Sequence, residues 1–157
     1  MKKVLAIVLM LLLVFSFAAC GGETEEVQTT FAVGETATVD GVNYTVNSVT
    51  KSAGSDWDYP AEGNEYVIVE VTIENKSDEK ISYNVFDWAM LNSQGQEDGE
   101  AFTTIDTDTN LGSGELRTDG VKTGTMIFEE PIGEELTLLY YSNSLFDDEP
   151  AFEVVLQ

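Results

Sequence analysis

Apolar and polar residues alternate along most of the chain after residue 30, and a period of two is typical of β-strands. The alternation is most regular in residues 66–74, where Val67, Val69, Val71 and Ile73 would face one side of a sheet. Further strands are predicted at residues 36–39, 42–46, 83–91, 120–128, 136–141 and 151–156, with turns at residues 75–78, 93–96 and 130–133. Asp40-Gly41 predicts a tight hairpin turn, because such turns need residues that tolerate positive φ.

No stretch after residue 30 offers ten residues with the 3.6-residue period of an amphipathic helix. Short strands at close spacing with turn signals between them indicate an antiparallel β-sandwich. We therefore predict an all-β domain of about seven to eight strands over residues 31–157.

The first nineteen residues have a different character. Lys2 and Lys3 precede an almost wholly apolar stretch whose only polar side chain is Ser16, and small residues close it. This layout is typical of a secretory signal peptide, and the stretch is shorter than the ~20 residues that a membrane-spanning helix needs. Residues 1–19 are therefore predicted to be an export signal, and the charged, pattern-free residues 20–30 a flexible tether.

The end of that signal, Phe17-Ala18-Ala19-Cys20-Gly21-Gly22, resembles the bacterial lipoprotein box, although Phe17 stands where Leu is usual. The resemblance implies that the Cys20 thiol carries a lipid and that the peptide before it is removed. Cys20 is the only cysteine, so it cannot form an internal disulfide. We expect the protein to be lipid-anchored at the extracytoplasmic face of the cell membrane.

The charge of the chain limits its partners. The formal net charge is −22, and losing Lys2 and Lys3 with the signal would make it −24. Nucleic-acid binding is excluded because it needs clusters of Lys and Arg that neutralise phosphates.

Four stretches resemble a known domain family: residues 62–77, 92–95, 124–131 and 138–142. That family is of uncharacterised function and is common in small lipoproteins of Gram-positive bacteria. The resemblance implies an immunoglobulin-like sandwich similar to that of a secreted mycobacterial immunoprotective antigen. The matching residues belong to strands and turns, and the family supplies no catalytic or ligand residues.

The chemistry that the chain lacks argues against an enzyme. There is no His, and no Cys beyond Cys20, which excludes His-dependent triads, Cys nucleophiles and the usual zinc sites. Ser48 and Lys51 match the S-x-x-K motif of penicillin-recognising enzymes. Three-residue spacing places both side chains on one face only in a helix, and this segment is predicted to be a strand.

One segment carries oxygen side chains at alternate positions, as calcium loops do: Asp106, Asp108 and Asn110. An EF-hand is excluded, because Leu111 and Arg117 stand where that loop has Gly and Glu. A looser calcium site that uses Asp106 and Asp108, with Glu115 as a further ligand, remains a hypothesis, against the simpler interpretation of a polar loop. No other cofactor is predicted.

Two aromatic residues, Trp57 and Tyr59, lie in a polar loop between predicted strands. They could anchor a protein partner, since Trp and Tyr are enriched at interaction hot spots. The favoured interpretation is that they fold back over the open end of the sandwich, because large aromatics usually bury. Trp88 is expected in the core.

These observations predict a lipid-anchored extracytoplasmic binding module that is not an enzyme. Two alternatives stay open: a wall-polysaccharide hydrolase using paired carboxylates, and a calcium-responsive accessory subunit. The chain holds twenty-nine acidic residues, and no carboxylate pair stands out among them.

Overall fold

The computed structural model describes residues 28–105, 108–142 and 148–156. These residues form eleven strands and one turn of 3-10 helix. In chain order they are β1 (Thr30–Ala32), β2 (Thr36–Val39), β3 (Val42–Ser52), β4 (Asn64–Asn75), β5 (Ile81–Asn84), the 3-10 turn (Val85–Asp87), β6 (Trp88–Asn92), β7 (Glu97–Asp98), β8 (Ser113–Leu116), β9 (Val121–Pro131), β10 (Leu136–Tyr140) and β11 (Phe152–Leu156).

Two sheets form the predicted β-sandwich. One has the strand order β1-β11-β10-β6-β7 and the other β2-β3-β4-β9, while β5 and β8 pair separately. All pairs are antiparallel except β1 with β11. The predicted alternation in β4 is confirmed, because Val67, Val69, Val71 and Ile73 are all buried. Alternate side chains of a strand point to opposite faces, so one face of β4 is core.

An aromatic cluster joins the two sheets. Tyr44 of β3 packs against Trp88, Tyr140 and Phe152 of the opposite sheet, with ring centroids 4.4 to 6.0 Å apart. The hydroxyls of Tyr44 and Tyr140 hydrogen-bond to each other at 2.7 Å, so neither polar group is buried unpaired. Trp88 lies in the core, as predicted.

Some strand predictions were wrong in detail. The segment 83–91 is not one strand: the Asn84 side chain accepts a hydrogen bond from the backbone N–H of Phe86 and caps a 3-10 turn that divides it. The short strands β1, β7 and β8 were missed, because two to four residues carry little periodicity. Glu130 and Pro131 were predicted to be in a turn but belong to β9.

The sandwich has two distinct ends. Asp40 and Gly41, with φ of 48° and 78°, form the predicted hairpin turn at one end. Gln28 lines a groove with Asp40 there, and we name this the N-terminal end. The 53–63 loop, which joins β3 to β4, lies at the opposite end, the loop end. The eleven residues of β3 separate the two ends by roughly 33 Å, at ~3.3 Å per residue.

Candidate functional site

Trp57 and Tyr59 project from the 53–63 loop into solvent. Their exposed fractions are 94% and 69%. The expectation that they fold back over the sandwich is therefore wrong. The residue between them, Asp58, turns inward instead, and it leaves its two neighbours facing outward.

Asp58 is the anchor of this loop. Its carboxylate accepts hydrogen bonds from the Tyr66 hydroxyl at 2.8 Å, the Thr103 hydroxyl at 2.9 Å, and both the hydroxyl (2.6 Å) and the backbone N–H of Thr104. These bonds, those from Thr104 first, hold the pKa of Asp58 well below its usual range. The carboxylate thus stays ionised and ties the 53–63 loop to the segment that follows β7.

The tight bend of the loop depends on a glycine. Gly54 has φ of +83°, and a Cβ at this position would lie 2.4 Å from the backbone oxygen of Asp58. The Ser55 N–H donates to the same oxygen at 2.7 Å. The loop is therefore closed by backbone contacts at one side and by the Asp58 carboxylate at the other.

Two other exposed apolar side chains lie on segments that contact the 53–63 loop. Phe102, next to the two threonines that hold Asp58, is fully exposed. Ile132 is 65% exposed, and its N–H donates to the backbone oxygen of Gly63, where the 53–63 loop ends. We name Trp57, Tyr59, Phe102 and Ile132 the apolar rim.

A groove of about 530 Å³ lies beside the rim, between the β6–β7 turn and the ends of β4 and β9. Its lining combines the ring of Phe102 with amide and carboxylate side chains. These side chains are those of Asn64, Asn92, Gln96, Asp98 and Glu129. Among the described residues that line it, none is basic. The groove therefore presents negative charge and hydrogen-bond acceptors.

Glu129 holds one wall of the groove in place. Its Oε1 accepts hydrogen bonds from the Ala61 N–H at 2.8 Å and from Asn64 Nδ2 at 3.0 Å. The 53–63 loop is thus fixed near its end as well as at Asp58.

Behind the groove lies a buried carboxyl group. Glu130 is 0% exposed, its Oε2 accepts from Asn92 Nδ2 at 3.3 Å, and within the described parts of the chain its Oε1 has no hydrogen-bond partner. Burial raises the pKa of Glu130 to about 7; the bond from Asn92 opposes that shift, and Asp98 and Glu134 add to it. A general acid must reach its substrate, and this carboxyl group is sealed from solvent.

Asn92 shapes the turn above Glu130. Its Oδ1 accepts from the backbone N–H groups of Gln94 and Gln96, both at 3.1 Å. The Asn92–Gly95 stretch, which suggested the family, therefore builds this turn. Asn75, in another such stretch, likewise binds backbone oxygens of Glu79 and Leu116.

Several functional residues were missed by sequence reasoning. The sequence around Asp58 carries no signal for its role, and the sequence pattern predicts a turn at Glu130. A signal for Glu130 existed: Met126, Phe128 and Glu130 are alternate residues of β9 and all are buried. Extending the alternation by one step would have placed Glu130 in the core.

The predicted calcium ligands are only partly within the described residues. Asp106 lies outside them, Asp108 is exposed, and Asn110 Nδ2 donates to Glu100 Oε1 at 2.7 Å. Over residues 28–105, 108–142 and 148–156, no group of three or more His, Cys, Asp or Glu is arranged to hold a metal ion. The calcium site stays a prediction.

The S-x-x-K motif lies in a strand. Ser48 and Lys51 lie in β3, as predicted, and Lys51 Nζ forms an ion pair with Glu65 Oε1 at 2.6 Å. Cys20 and the signal sequence lie outside the described residues. Within the portion that the structure describes, no helix is long and apolar enough to cross a membrane.

Comparison with known proteins gives a family match over residues 31–151, to the domain of unknown function DUF4352. Among solved structures, the yjhA protein of Bacillus subtilis is 27% identical, with a TM-score of 0.65, and the match covers 81% of this chain and 99% of that one. A candidate lipoprotein of Bacillus subtilis, ycdA, is 17% identical with a TM-score of 0.62, over 76% of this chain and 38% of that one.

A conserved hypothetical protein of Bacillus anthracis is 13% identical with a TM-score of 0.53, over 77% of this chain and 94% of that one. The similarities to ycdA and to the Bacillus anthracis protein, both under 25% identity, concern the fold alone. No functionally curated protein matches the chain significantly.

Proposed function

The chain belongs to the DUF4352 family of domains of unknown function, and we propose that it is a lipid-anchored extracytoplasmic binding module that engages a partner through the apolar rim. The observation that carries the proposal is the exposure of Trp57, at 94%, on a loop that Asp58 holds in place. Exposed aromatic groups in one region typically mark interaction sites.

The rigidity of the rim supports binding as its role. Ordering a loop when a partner binds costs conformational entropy, and a loop that is already held avoids most of this cost. Asp58 and Glu129 hold the 53–63 loop through side-chain hydrogen bonds before any partner arrives.

The position of Gln28 in the sandwich supports a partner other than the membrane. Gln28 lies at the N-terminal end, and only seven residues separate it from Cys20. If these residues form the flexible tether predicted from the sequence, the eight Cα–Cα steps from Cys20 to Gln28 span about 14–17 Å. A lipid on Cys20 would therefore hold the N-terminal end at the membrane, with the rim roughly 33 Å further out, by the length of β3.

The burial of Glu130 at the loop end favours a binding role over a glycosidase. A glycosidase needs two carboxyl groups that both reach the scissile bond. Glu130, whose raised pKa would suit a general acid, is completely buried beneath Asn92. The likeness to the secreted mycobacterial antigen remains a prediction.

The test is covalent crosslinking in intact cells that express the tagged protein. The matched variants are Trp57→Ala, in the rim, and Phe86→Ala, which removes an aromatic ring that is 74% exposed beyond the other end of β6. We expect one extracytoplasmic protein to be captured by the wild type and by Phe86→Ala, and its capture to fall at least about fivefold with Trp57→Ala, the scale of a hot-spot residue.

Two further variants separate the parts of the proposal. Cys20→Ala should abolish capture if the partner is membrane-held. Asp58→Ala should weaken capture while leaving the rim side chains present, because it releases the loop. Equal capture by Trp57→Ala and Phe86→Ala would contradict a binding role for the rim.

A further inference from the structure

We propose that the groove beside the apolar rim binds a cationic segment of a protein partner, with a Lys or Arg side chain between Phe102 and the carboxylates of Asp98 and Glu129. The inference rests on the proposed binding function and adds the chemistry of the partner to it.

Basic residues are concentrated away from the loop end. Four of the five in the described residues lie on the half of the sandwich nearer the N-terminal end: Lys76, Lys80, Arg117 and Lys122. The fifth, Lys51, is engaged by Glu65 at 2.6 Å. Among the described residues, Lys51 is therefore the one basic side chain at the loop end, and its charge is already paired.

The groove itself supplies the groups that a cation prefers. Asp98 is exposed, and Glu129 uses its Oε1 to hold the loop. The side chains of Asn64 and Gln96 add uncharged amide groups to the lining. Charge-assisted hydrogen bonds from a guanidinium or ammonium group to carboxylates are about twice as strong as neutral ones.

Phe102 completes the site for a basic side chain. Its ring is fully exposed at the edge of the groove, and an aromatic face attracts Lys and Arg heads within about 6 Å of its centre. The ring also packs against the aliphatic stem of such a side chain. A carboxylate-lined groove with one free aromatic ring is thus better suited to Arg or Lys than to an acidic or purely apolar group.

The rim argues for a protein segment in preference to a free cation. Trp57, Tyr59 and Ile132 extend the exposed apolar surface beyond the groove, and a small ion would leave all three uncovered. A peptide segment with basic and apolar residues would cover both parts. Opposite charge would also speed its encounter with this strongly acidic protein.

The experiment is calorimetric titration of the full chain, in neutral detergent micelles, with three probes: an Arg-rich peptide, a Glu-rich peptide of equal length, and a neutral oligosaccharide. Two matched pairs of variants are compared. Asp98→Asn is paired with Asp78→Asn, another exposed acid, in the turn after β4, and Phe102→Ala is paired with Phe86→Ala.

We expect the Arg-rich peptide alone to bind, and raising salt to weaken it. Asp98→Asn and Phe102→Ala should each weaken binding about two- to fivefold, the scale of exposed ion pairs and cation–π contacts. Asp78→Asn and Phe86→Ala should leave the affinity unchanged.

Three results would overturn the inference. The first is no binding of the Arg-rich peptide at about 1 mM. The second is an equal loss with Asp78→Asn, which would mean general attraction to an acidic surface. The third is binding of the oligosaccharide that depends on Phe102; then the rim would still be a binding surface, but for a neutral ligand. Failure of the proposed function itself is recognised separately, by the crosslinking comparison of Trp57→Ala with Phe86→Ala.

Discussion

Replacing Glu130 by Gln should make the protein more stable at neutral and alkaline pH. Glu130 is completely buried, with one oxygen bonded to Asn92 and the other without a partner among the described residues. Folding therefore favours its uncharged form. Glutamine has nearly the same shape, is always neutral and keeps an oxygen that can accept the bond from Asn92.

The magnitude follows from the pKa. Burial raises the pKa of Glu130 from its ordinary value of 4.5 to about 7. Between these values the folded protein binds a proton that the unfolded chain does not, so the wild type loses stability as pH rises through this window. Each pKa unit corresponds to about 1.36 kcal/mol, which gives a total of about 3 kcal/mol. The Glu130→Gln protein has no such loss.

The assay is urea denaturation followed by tryptophan fluorescence. Its change reports mainly Trp88, which is buried in the core, because Trp57 is already exposed in the folded protein. The free energy of unfolding is compared between wild type and Glu130→Gln at about pH 4.5 and about pH 8. We expect a difference near zero at the lower pH, and about 3 kcal/mol in favour of the variant at the higher one. Taking the difference cancels the titration of all other groups that the two proteins share.

A control variant isolates burial as the cause. Glu115→Gln changes an exposed carboxylate that pairs with Lys80 at 2.6 Å, and it should stay within about 1 kcal/mol of the wild type. If the free energy of unfolding changed equally with pH for wild type and Glu130→Gln between about pH 4.5 and 8, the reasoning would be refuted. So would a variant that is less stable than the wild type at about pH 8.

Two further predictions concern the packing of the sandwich. Tyr140→Phe leaves the buried Tyr44 hydroxyl without its hydrogen-bond partner at 2.7 Å, so the free energy of unfolding should fall by about 1–3 kcal/mol. Adding Tyr44→Phe removes the unpaired hydroxyl and should restore part of the loss. Urea denaturation of the single and double variants measures both effects. No recovery in the double variant would count against the bond. Gly124→Ala places a Cβ 2.6 Å from Leu111 Cα, so the melting temperature should fall, while Gly99→Ala, whose Cβ would meet nothing within 4 Å, should leave it unchanged in the same thermal scan. Equal melting temperatures for the two glycine variants would contradict the close approach of the two backbones.

The geometry of the candidate site could not be predicted from the sequence. Trp57 and Tyr59 were identified as candidates, but their burial was predicted wrongly, because their orientation depends on Asp58 and its partners. Asp58 and Thr103 are 45 residues apart, and no local pattern indicates that they meet. The groove likewise depends on Asn92 and Glu129 coming together from different strands.

The sequence by itself determined the all-β class, the alternation of β4 and the Asp40-Gly41 turn, because these depend on side-chain period and on backbone preferences within a few residues. Its N-terminal pattern also predicts export and a lipid on Cys20. Only the tertiary structure decided which aromatic groups face solvent, which carboxylate is buried, and which loops form one surface. Those properties arise from contacts between distant residues, where burial and hydrogen bonding are settled by the packing of the whole sandwich.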